Sequence, residues 1–268
     1  MLNGISQNSL NSAQTALATS LARLSTASRI NSARDDAAGL AISSAMQAQL
    51  GSGNQAIRNT YDGLSLTSTA EGALGQATES LQRMRELSIQ AANGTNSASD
   101  RQAIQAEIGQ LQQGLEQLTE TTQFNGQKLF DGNFSSQLQT GPNSGNTTAL
   151  SLAKVSPETL GVATIDVSTS AGANDALTAL DKALTSVNGE RSRIGALQSG
   201  LSSTLATLQG TYENLSAAKS RITDTDYAAE AANLATNTIR QQAATQALAL
   251  YNNNQSSVLS LLGPGLRA

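Results

Sequence analysis

Residues able to do acid–base or nucleophilic chemistry are scarce in this chain. It contains no His and no Cys, which removes the commonest general base, thiolate nucleophiles and most transition-metal sites. Asp35 and Asp36 are the clearest remaining candidates for an acid–base pair or a metal site. Neighbouring loop side chains point apart and no third ligand is evident, so a capping and linker role is favoured instead. We therefore predict no catalytic residue, no metal site and no cofactor.

A second group of charged residues comprises Arg83, Arg85 and Glu86. Such a run is typical of a solvated helix face, where local ion pairs each contribute roughly 0.2–0.5 kcal/mol. Across the chain, 16 basic and 20 acidic residues give a formal charge of −4, and no basic stripe stands out. Nucleic acid and anionic membranes are therefore not expected partners.

The apolar residues suit long helices better than a compact core. Of the 268 residues, 38% are hydrophobic and 3% aromatic, Trp is absent, and much of the apolar content is Ala. This is below the usual share for globular domains. Burial must therefore be thin and spread along the chain, as it is when helices pack side by side.

The N-terminal residues carry no targeting pattern. They lack a basic start followed by an apolar run, and no window of about 18 apolar residues occurs anywhere. We expect a soluble chain without membrane insertion that, if exported, does not use a cleaved signal peptide.

Two weakly patterned helices are predicted near the ends, at residues 7–28 and 227–262, the second ending before Gly263-Pro264-Gly265. Their surfaces are otherwise Asn, Gln, Ser, Thr and Ala. Isolated helices with so narrow an apolar stripe are marginal in water, so we expect them to become ordered only on meeting a partner. The positions expected to mediate assembly are Leu10, Leu17, Leu21, Leu24, Leu234, Ile239, Leu248, Leu261 and Leu262.

Three longer helices are predicted between them. The first covers about residues 38–92; the next is capped by Ser97 or Ser99 and ends near Thr122; the last covers about 175–221 and is on the order of 70 Å long. The short turn at residues 93–96 predicts that the first two pack antiparallel. A coiled-coil seam is indicated by the three- and four-residue spacing of Ile104, Ile108, Leu111, Leu115 and Leu118.

The period changes between residues 123 and 172. Asn125-Gly126 and Asp131-Gly132 are hairpin turn signals, and short strands are predicted near 127–130, 134–139 and 148–153. The predicted fold class is mainly α: a long antiparallel helical bundle or coiled coil with a small β-hairpin region.

Several segments, in this order along the chain, resemble bacterial flagellin. The segment at 29–39 contains Asp35-Asp36-Ala37-Ala38-Gly39 and is similar to the family's N-terminal signature. The segments at 220–228 and 258–262 are similar to the C-terminal signature. Between them, residues 81–87, with Gln82-Arg83-Met84-Arg85-Glu86-Leu87, 105–108 and 123–126 also match.

The resemblance implies a division of the chain. Residues 1–28 and 223–268 are expected to form the inner-core domain, and 29–37 the spoke linker, with Arg34, Asp35 and Asp36. Residues 38–122 and 173–222 are expected to be the helices of the outer-tube domain. The interval 123–172 is expected to be a β-hairpin region that replaces the outer variable domains, which makes this a short form.

The resemblance also implies function and partners. We expect a non-enzymatic structural subunit that polymerises with itself into the flagellar filament for motility. Arg83, Leu87 and Glu107 are candidate residues for the contact between protofilaments, which a host innate immune receptor also binds. The flagellar export chaperone and the hook-associated and cap proteins are expected partners. The expected location is the extracellular filament, reached through the flagellar export apparatus.

Two other interpretations share this architecture. A hook–filament junction protein has the same terminal patterns, but the matches at 35–39 and 82–87 favour flagellin. A surface-displayed adhesin or glycan-binding protein would need an aromatic-lined groove, and few aromatic residues are available.

Overall fold

The computed structural model describes residues 2–262, and within them the side chains other than those of residues 2, 3, 5, 6 and 259–262. Five helices and two two-stranded sheets form in this range, which confirms the predicted mainly helical class. In chain order the elements are α1 (Leu2–Thr26), α2 (Ala37–Ala92), α3 (Ala98–Thr121), β1 (Gln123–Phe124), β2 (Gln127–Lys128), β3 (Ser135–Gln139), β4 (Thr147–Ser151), α4 (Ser170–Thr223) and α5 (Tyr227–Leu262).

The chain divides into two compact units. One contains the residues up to Leu50 together with those from Glu213 onward, and the other is Gly51–Tyr212. Helices α2 and α4 contribute residues to both units.

The unit formed by Gly51–Tyr212 has a continuous apolar core between its helices and hairpins. The predicted seam of α3 is confirmed: Ile104, Ile108 and Leu115 are buried, and Leu111 and Leu118 pack against them. Other side chains buried in this core include Leu74, Leu81, Met84, Leu129, Phe130, Leu150, Val162, Leu180 and Ile194.

Helices α2 and α3 pack antiparallel, as the short turn between them predicts. At the turn, Arg101 Nε donates to the Ala91 carbonyl at 2.8 Å. Farther along the two helices, Arg83 of α2 forms a salt bridge with Glu107 of α3. Ser97 caps α3 in a capping box with Asp100. Hydrogen bonds from the Ser97 side chain and backbone hold the pKa of the Asp100 carboxyl below its usual value.

Helix α4 begins five residues before the predicted start. The hydroxyl of Thr169 accepts a hydrogen bond from Gly172 N at 3.0 Å and so caps the first turn. That turn packs through Ala173 and Ala176, which are buried. The predicted start rested on the spacing of large apolar residues. Because this first turn is buried through two alanines instead, the helix begins earlier than predicted.

The hairpins differ in length from the prediction. Strands β1 and β2 pair around Asn125 and Gly126, both with positive φ, as an Asn-Gly hairpin turn requires. Strand β2 stops at Lys128 rather than residue 130, because Leu129 and Phe130 turn into the core. Strands β3 and β4 pair antiparallel with Ser135 opposite Ser151.

After β4 the chain follows α3 without forming a further strand. Three polar side chains of α3, spaced seven residues apart, form hydrogen bonds with the backbone of this segment after β4. Gln105 donates to the Ile165 carbonyl at 3.0 Å and accepts from Val167 N at 2.7 Å, and Gln112 donates to the Val162 carbonyl at 2.6 Å. Thr119 donates to the Val155 carbonyl. We call Gln105, Gln112 and Thr119 the polar ladder.

Candidate assembly surfaces

The terminal helices α1 and α5 pack against each other as an antiparallel pair. Ser28 and Asp224 form an isolated antiparallel bridge at its base. Farther along, Arg23 Nη1 lies 3.7 Å from a carboxylate oxygen of Glu230, and the Asn237 amide donates to Ser20 Oγ at 3.4 Å. The pair is therefore aligned mainly by polar contacts. We call it the terminal pair.

Little apolar surface is buried in the terminal pair. Among the described side chains of α1 only Ala13 and Ser20 are buried, and among those of α5 only Glu230 is. Ile239 and Leu250 are each 65% exposed. A helix pair with so few buried apolar side chains gains little from the hydrophobic effect.

The predicted assembly positions are distributed unevenly over this surface. Leu21 and Ile239 are exposed, whereas five are half-buried: Leu10, Leu17, Leu24, Leu234 and Leu248. The side chains of Leu261 and Leu262 lie outside the described residues, as do Gly263, Pro264 and Gly265.

A polar groove of about 580 Å³ runs along the terminal pair. Its hydroxyls at Thr15 and Thr19 bond back to carbonyls of their own helix at 2.9 Å, so they do not tie α1 to α5. The Arg23 Nε atom is buried without a hydrogen-bond partner, although the Arg23 guanidinium faces the Glu230 carboxylate. The helix pair thus leaves one polar atom lining the groove, Arg23 Nε, without a hydrogen-bond partner.

The predicted linker is a compact turn held by its own carboxylates. One Asp35 oxygen accepts from Asn31 N at 3.1 Å and from Ser32 N and Oγ at 2.9 Å. These bonds, led by that from the Ser32 side chain, and more weakly the charge of Arg23, hold the Asp35 pKa below its usual value. The Asp36 carboxylate accepts from Gly39 N at 2.8 Å and caps α2, and Arg34 is exposed.

The linker is also bonded to the end of α4. Arg29 N donates to the Thr223 carbonyl at 2.6 Å, and the Arg29 guanidinium donates to the Ile222 carbonyl at 2.7 Å. The turn therefore contacts the end of α4 through Arg29. At the start of α2, a Cβ added at Gly39 would be 2.7 Å from Ile30 Cδ1 and would also meet the Asp36 carboxylate, so a larger residue there would displace these two side chains.

Two of the three predicted contact residues, Arg83 of α2 and Glu107 of α3, lie together on a charged surface. Arg83 donates through Nε and Nη2 to Glu107 Oε1 at 3.1 and 2.8 Å, and through Nη1 to Glu86 at 3.3 Å. The side chains of Arg83 and Glu107 are 51% and 45% exposed. They form a paired charge on the surface, available to another molecule.

Leu87 does not join that surface. Its side chain is only 2% exposed and lies in the core with Met84 and Ala91. A side chain in the helix seam cannot reach a partner while the seam stays packed. The burial of Leu87 therefore gives no support to a direct contact through it, and that contact remains a prediction.

The Gly51–Tyr212 unit contains two further ion pairs that the sequence did not predict. Arg85 donates to Asp181 at 2.7 Å, and Arg191 donates through two nitrogens to Glu71 at 2.8 and 2.9 Å. These partners are 96 and 120 residues apart in the sequence. Only the packing of α4 on α2 reveals them; the one available signal was that Arg191 interrupts the apolar register of α4.

These surfaces consist of exposed polar and apolar side chains and of ion pairs. Within residues 2–262, no group of three or more acidic side chains is placed to hold a metal ion. No helix in the same range is both long and apolar enough to cross a membrane.

Comparison with known proteins gives consistent matches. Residues 1–135 match the bacterial flagellin N-terminal helical region, and residues 177–262 match the bacterial flagellin C-terminal helical region. A flagellin of Halalkalibacterium halodurans is 44% identical over 90% of this chain and 89% of its own length. A flagellin of Serratia marcescens is 35% identical over 96% of both chains.

Solved structures agree with these matches. The crystal structure of Bacillus cereus flagellin has a TM-score of 0.52 at 32% identity, covering 56% of this chain and 88% of that one. A putative flagellar hook-associated protein from Vibrio parahaemolyticus has a TM-score of 0.61, covering 71% of this chain and 100% of that one. Its identity is only 16%, so the likeness extends to the fold alone.

Long antiparallel helices and a thinly buried terminal pair with exposed apolar side chains on α5 are features of a structural helical protein. The chain belongs to the bacterial flagellin family, whose members form the extracellular flagellar filament. It is a structural subunit of that filament, and the hook–filament junction and adhesin interpretations are not favoured. Only residues 136–176 lie between the two matched regions, as expected for a short form.

Proposed function

We propose that this filament subunit assembles by coupled folding and association of its terminal pair, α1 and α5. Residues 1–28 and 223–268 would form the inner core of the filament, 29–37 the spoke, and 38–122 with 173–222 the outer tube. The observation that carries the proposal is the thin burial of the terminal pair. Neighbouring subunits would supply the missing apolar contacts and so pay for ordering it.

The geometry of the polymer follows from the contact type. A head-to-tail contact that does not close into a ring extends into a helical filament. Ile239 and Leu250 are exposed on α5 at a separation of 11 residues, which places them on one face of the helix. This face and the polar groove are the parts of the terminal pair that we expect neighbouring subunits to cover.

The second proposed contact is the ion pair of Arg83 with Glu107, which we assign to the interface between protofilaments. Its support is the exposure of both side chains and the fixed guanidinium orientation. A planar guanidinium held in this way can still donate to a carboxylate or a carbonyl of another chain. The same pair, Arg83 of α2 and Glu107 of α3, would be the part of this surface that a host innate immune receptor binds.

The route to the filament is also proposed. A thinly packed terminal pair favours passage through a narrow channel, so we infer secretion through the flagellar export apparatus. Before assembly, the export chaperone would cover the terminal helices. The hook-associated and cap proteins would contact these helices at the two ends of the filament. No step in this pathway requires the chain to act as an enzyme.

Two deletions test the proposal. Removing residues 1–28 or residues 227–268 should leave a folded, soluble monomer that no longer polymerises, because each deletion removes one partner of the terminal pair. Electron microscopy measures filament formation and circular dichroism measures the remaining helix, with the full-length chain as control. Filaments of normal length from either variant would contradict the proposal.

A further inference from the structure

Asn–Gly pairs are the most self-reactive dipeptides in the chain. The sequence has four, and the side chain of Asn is described in three: Asn93-Gly94, Asn125-Gly126 and Asn188-Gly189. The three occupy different backbone settings, a helix–helix turn, a hairpin turn and a helix interior. Their chemistry can therefore be compared within one molecule.

The reaction needs only the protein and water. The backbone nitrogen of the Gly attacks the side-chain carbonyl carbon of the Asn. A carbon–nitrogen bond forms, the bond to the side-chain amide nitrogen breaks, and ammonia leaves with the proton from the Gly nitrogen. Water then opens the five-membered succinimide at either carbonyl and leaves aspartate or isoaspartate. Glycine favours the attack because it has no Cβ to hinder the nitrogen.

Asn93 is well placed for this reaction. It lies between the end of α2 at Ala92 and the start of α3, and it is exposed to water. Its side-chain carbonyl accepts a hydrogen bond from Thr95 N at 3.2 Å. A donor at that oxygen draws electrons from the carbon and stabilises the negative charge that develops during attack. No atom would lie within 4 Å of a Cβ at Gly94, so the nucleophile is uncrowded.

The other two pairs are more restrained. Asn188 lies inside α4, where helical ψ is about −42° and the following N–H is bonded four residues back. Asn125 has φ of 48° in a hairpin turn whose flanking residues, Phe124 and Gln127, are paired. Each must break the hydrogen bonds of a helix or of a strand pair before the Gly nitrogen can approach the side chain. At Asn93 only turn bonds must open, namely those of its N–H to the Gln90 carbonyl and of its carbonyl to Asn96 N, both 3.2 Å.

We propose that Asn93-Gly94 is a self-modification site, at which the turn between α2 and α3 converts slowly to aspartate and isoaspartate. Isoaspartate at position 93 lengthens the backbone of the turn by one carbon, next to the carbonyls that Arg101 binds. That side chain holds the turn through the Ala91 carbonyl at 2.8 Å and the Asn93 carbonyl at 3.1 Å. In the modified turn the distance between these two carbonyls changes, so the Arg101 guanidinium can no longer donate to both.

The test uses the full-length protein in warm, mildly alkaline buffer, sampled over days. Trypsin releases the three pairs on separate peptides, residues 86–101, 102–128 and 183–191. Mass spectrometry then follows the replacement of amide by hydroxyl at each Asn. Asn93 should react about tenfold or more faster than Asn188, with Asn125 between them, because the helix must first open at Asn188. In concentrated urea the three rates should converge.

Two variants complete the test. Gly94→Ala should slow the reaction at Asn93 by about tenfold, since the new Cβ hinders the nitrogen while the backbone there does not need Gly. Gly189→Ala, the matched control, should leave the rate at Asn93 unchanged. Equal rates at Asn93 and Asn188 in the folded protein, or a Gly94→Ala variant that reacts as fast as the parent, would overturn the proposal.

Discussion

The ion pair of Arg83 with Glu107 should contribute different free energies to the stability of the monomer and to the filament. Both side chains are about half exposed, so water and salt screen their attraction within the monomer. At an interface the same groups lose water and must be matched by donors or acceptors of the neighbour. Their effect should therefore be much larger in the filament than in the isolated subunit.

Replacing Arg83 by Ala tests this difference. The free energy of unfolding of the monomer should change by less than about 1 kcal/mol. The lowest protein concentration that supports filaments should rise about tenfold, which corresponds to ~1.4 kcal/mol. Urea unfolding measures the first quantity and sedimentation of filaments the second.

The matched control is Glu79→Ala, since Glu79 lies one turn before Arg83 on α2 and is exposed. We expect it to change neither quantity appreciably. An Arg83→Ala variant that polymerises at the parent concentration would remove this pair from the proposed interface.

Leu87 shows why residue-level prediction from a resemblance has limits. It follows Glu86 in the sequence and was assigned to the same surface as Arg83. In the structure its side chain, like that of the next residue, Ser88, is buried in the core between the helices. Arg83 and Leu87 are four residues apart and so lie only about 40° from each other around the helix axis. Their spacing therefore could not predict that Arg83 is exposed and Leu87 buried, because the packing of neighbouring helices decides it.

At the scale of elements, helices were predictable and the chain between them was less so. Spacing of large apolar residues located α2, α3 and α4 because one face of each helix is buried. Asn125-Gly126 located the turn between β1 and β2 because few other residues adopt positive φ there. The path after β4 was not predictable, since side chains of α3 rather than a strand partner hold it.

The polar ladder is the clearest case. Gln105, Gln112 and Thr119 repeat every seven residues and so lie on one side of α3, but a polar repeat is ordinarily taken as a solvated face. Here it satisfies backbone groups of the segment that covers the core, including the carbonyl of the fully buried Val162. The ladder thus replaces the hydrogen bonds that a sheet would have supplied.

Gln112→Ala tests the ladder. The variant leaves the Val162 carbonyl without its donor, so the free energy of unfolding should fall by about 1–3 kcal/mol. Thermal or urea unfolding measures it. Gln113→Ala is the matched control, because Gln113 is the next residue on α3 and is exposed. Equal losses in the two variants would show that the ladder bond adds nothing specific.

At the scale of the whole molecule, stability is distributed unevenly between the two units. The Gly51–Tyr212 unit contains the continuous core of large side chains. The terminal pair has few buried side chains and several exposed apolar ones. A chain built in this way can keep one unit folded while the other opens and closes, since local opening costs little where few apolar contacts are lost.

This imbalance was visible in the sequence. Large apolar residues are sparse in residues 7–28 and 227–262 and regular in 97–122 and 175–221. What the sequence could not indicate is how the two terminal helices contact each other. The contacts of Arg23 with Glu230 and of Ser20 with Asn237 join polar residues more than 200 positions apart, and polar pairs leave no periodic signal.

Hydrogen–deuterium exchange, measured by mass spectrometry on the same protein as dilute monomer and as filament, tests the central claim most directly. In the monomer, amides of α1 and α5 should exchange quickly while those of α3 and the middle of α2 stay protected. In the filament, α1 and α5 should become protected as well. Terminal helices as slow to exchange in the monomer as α3 would contradict the account.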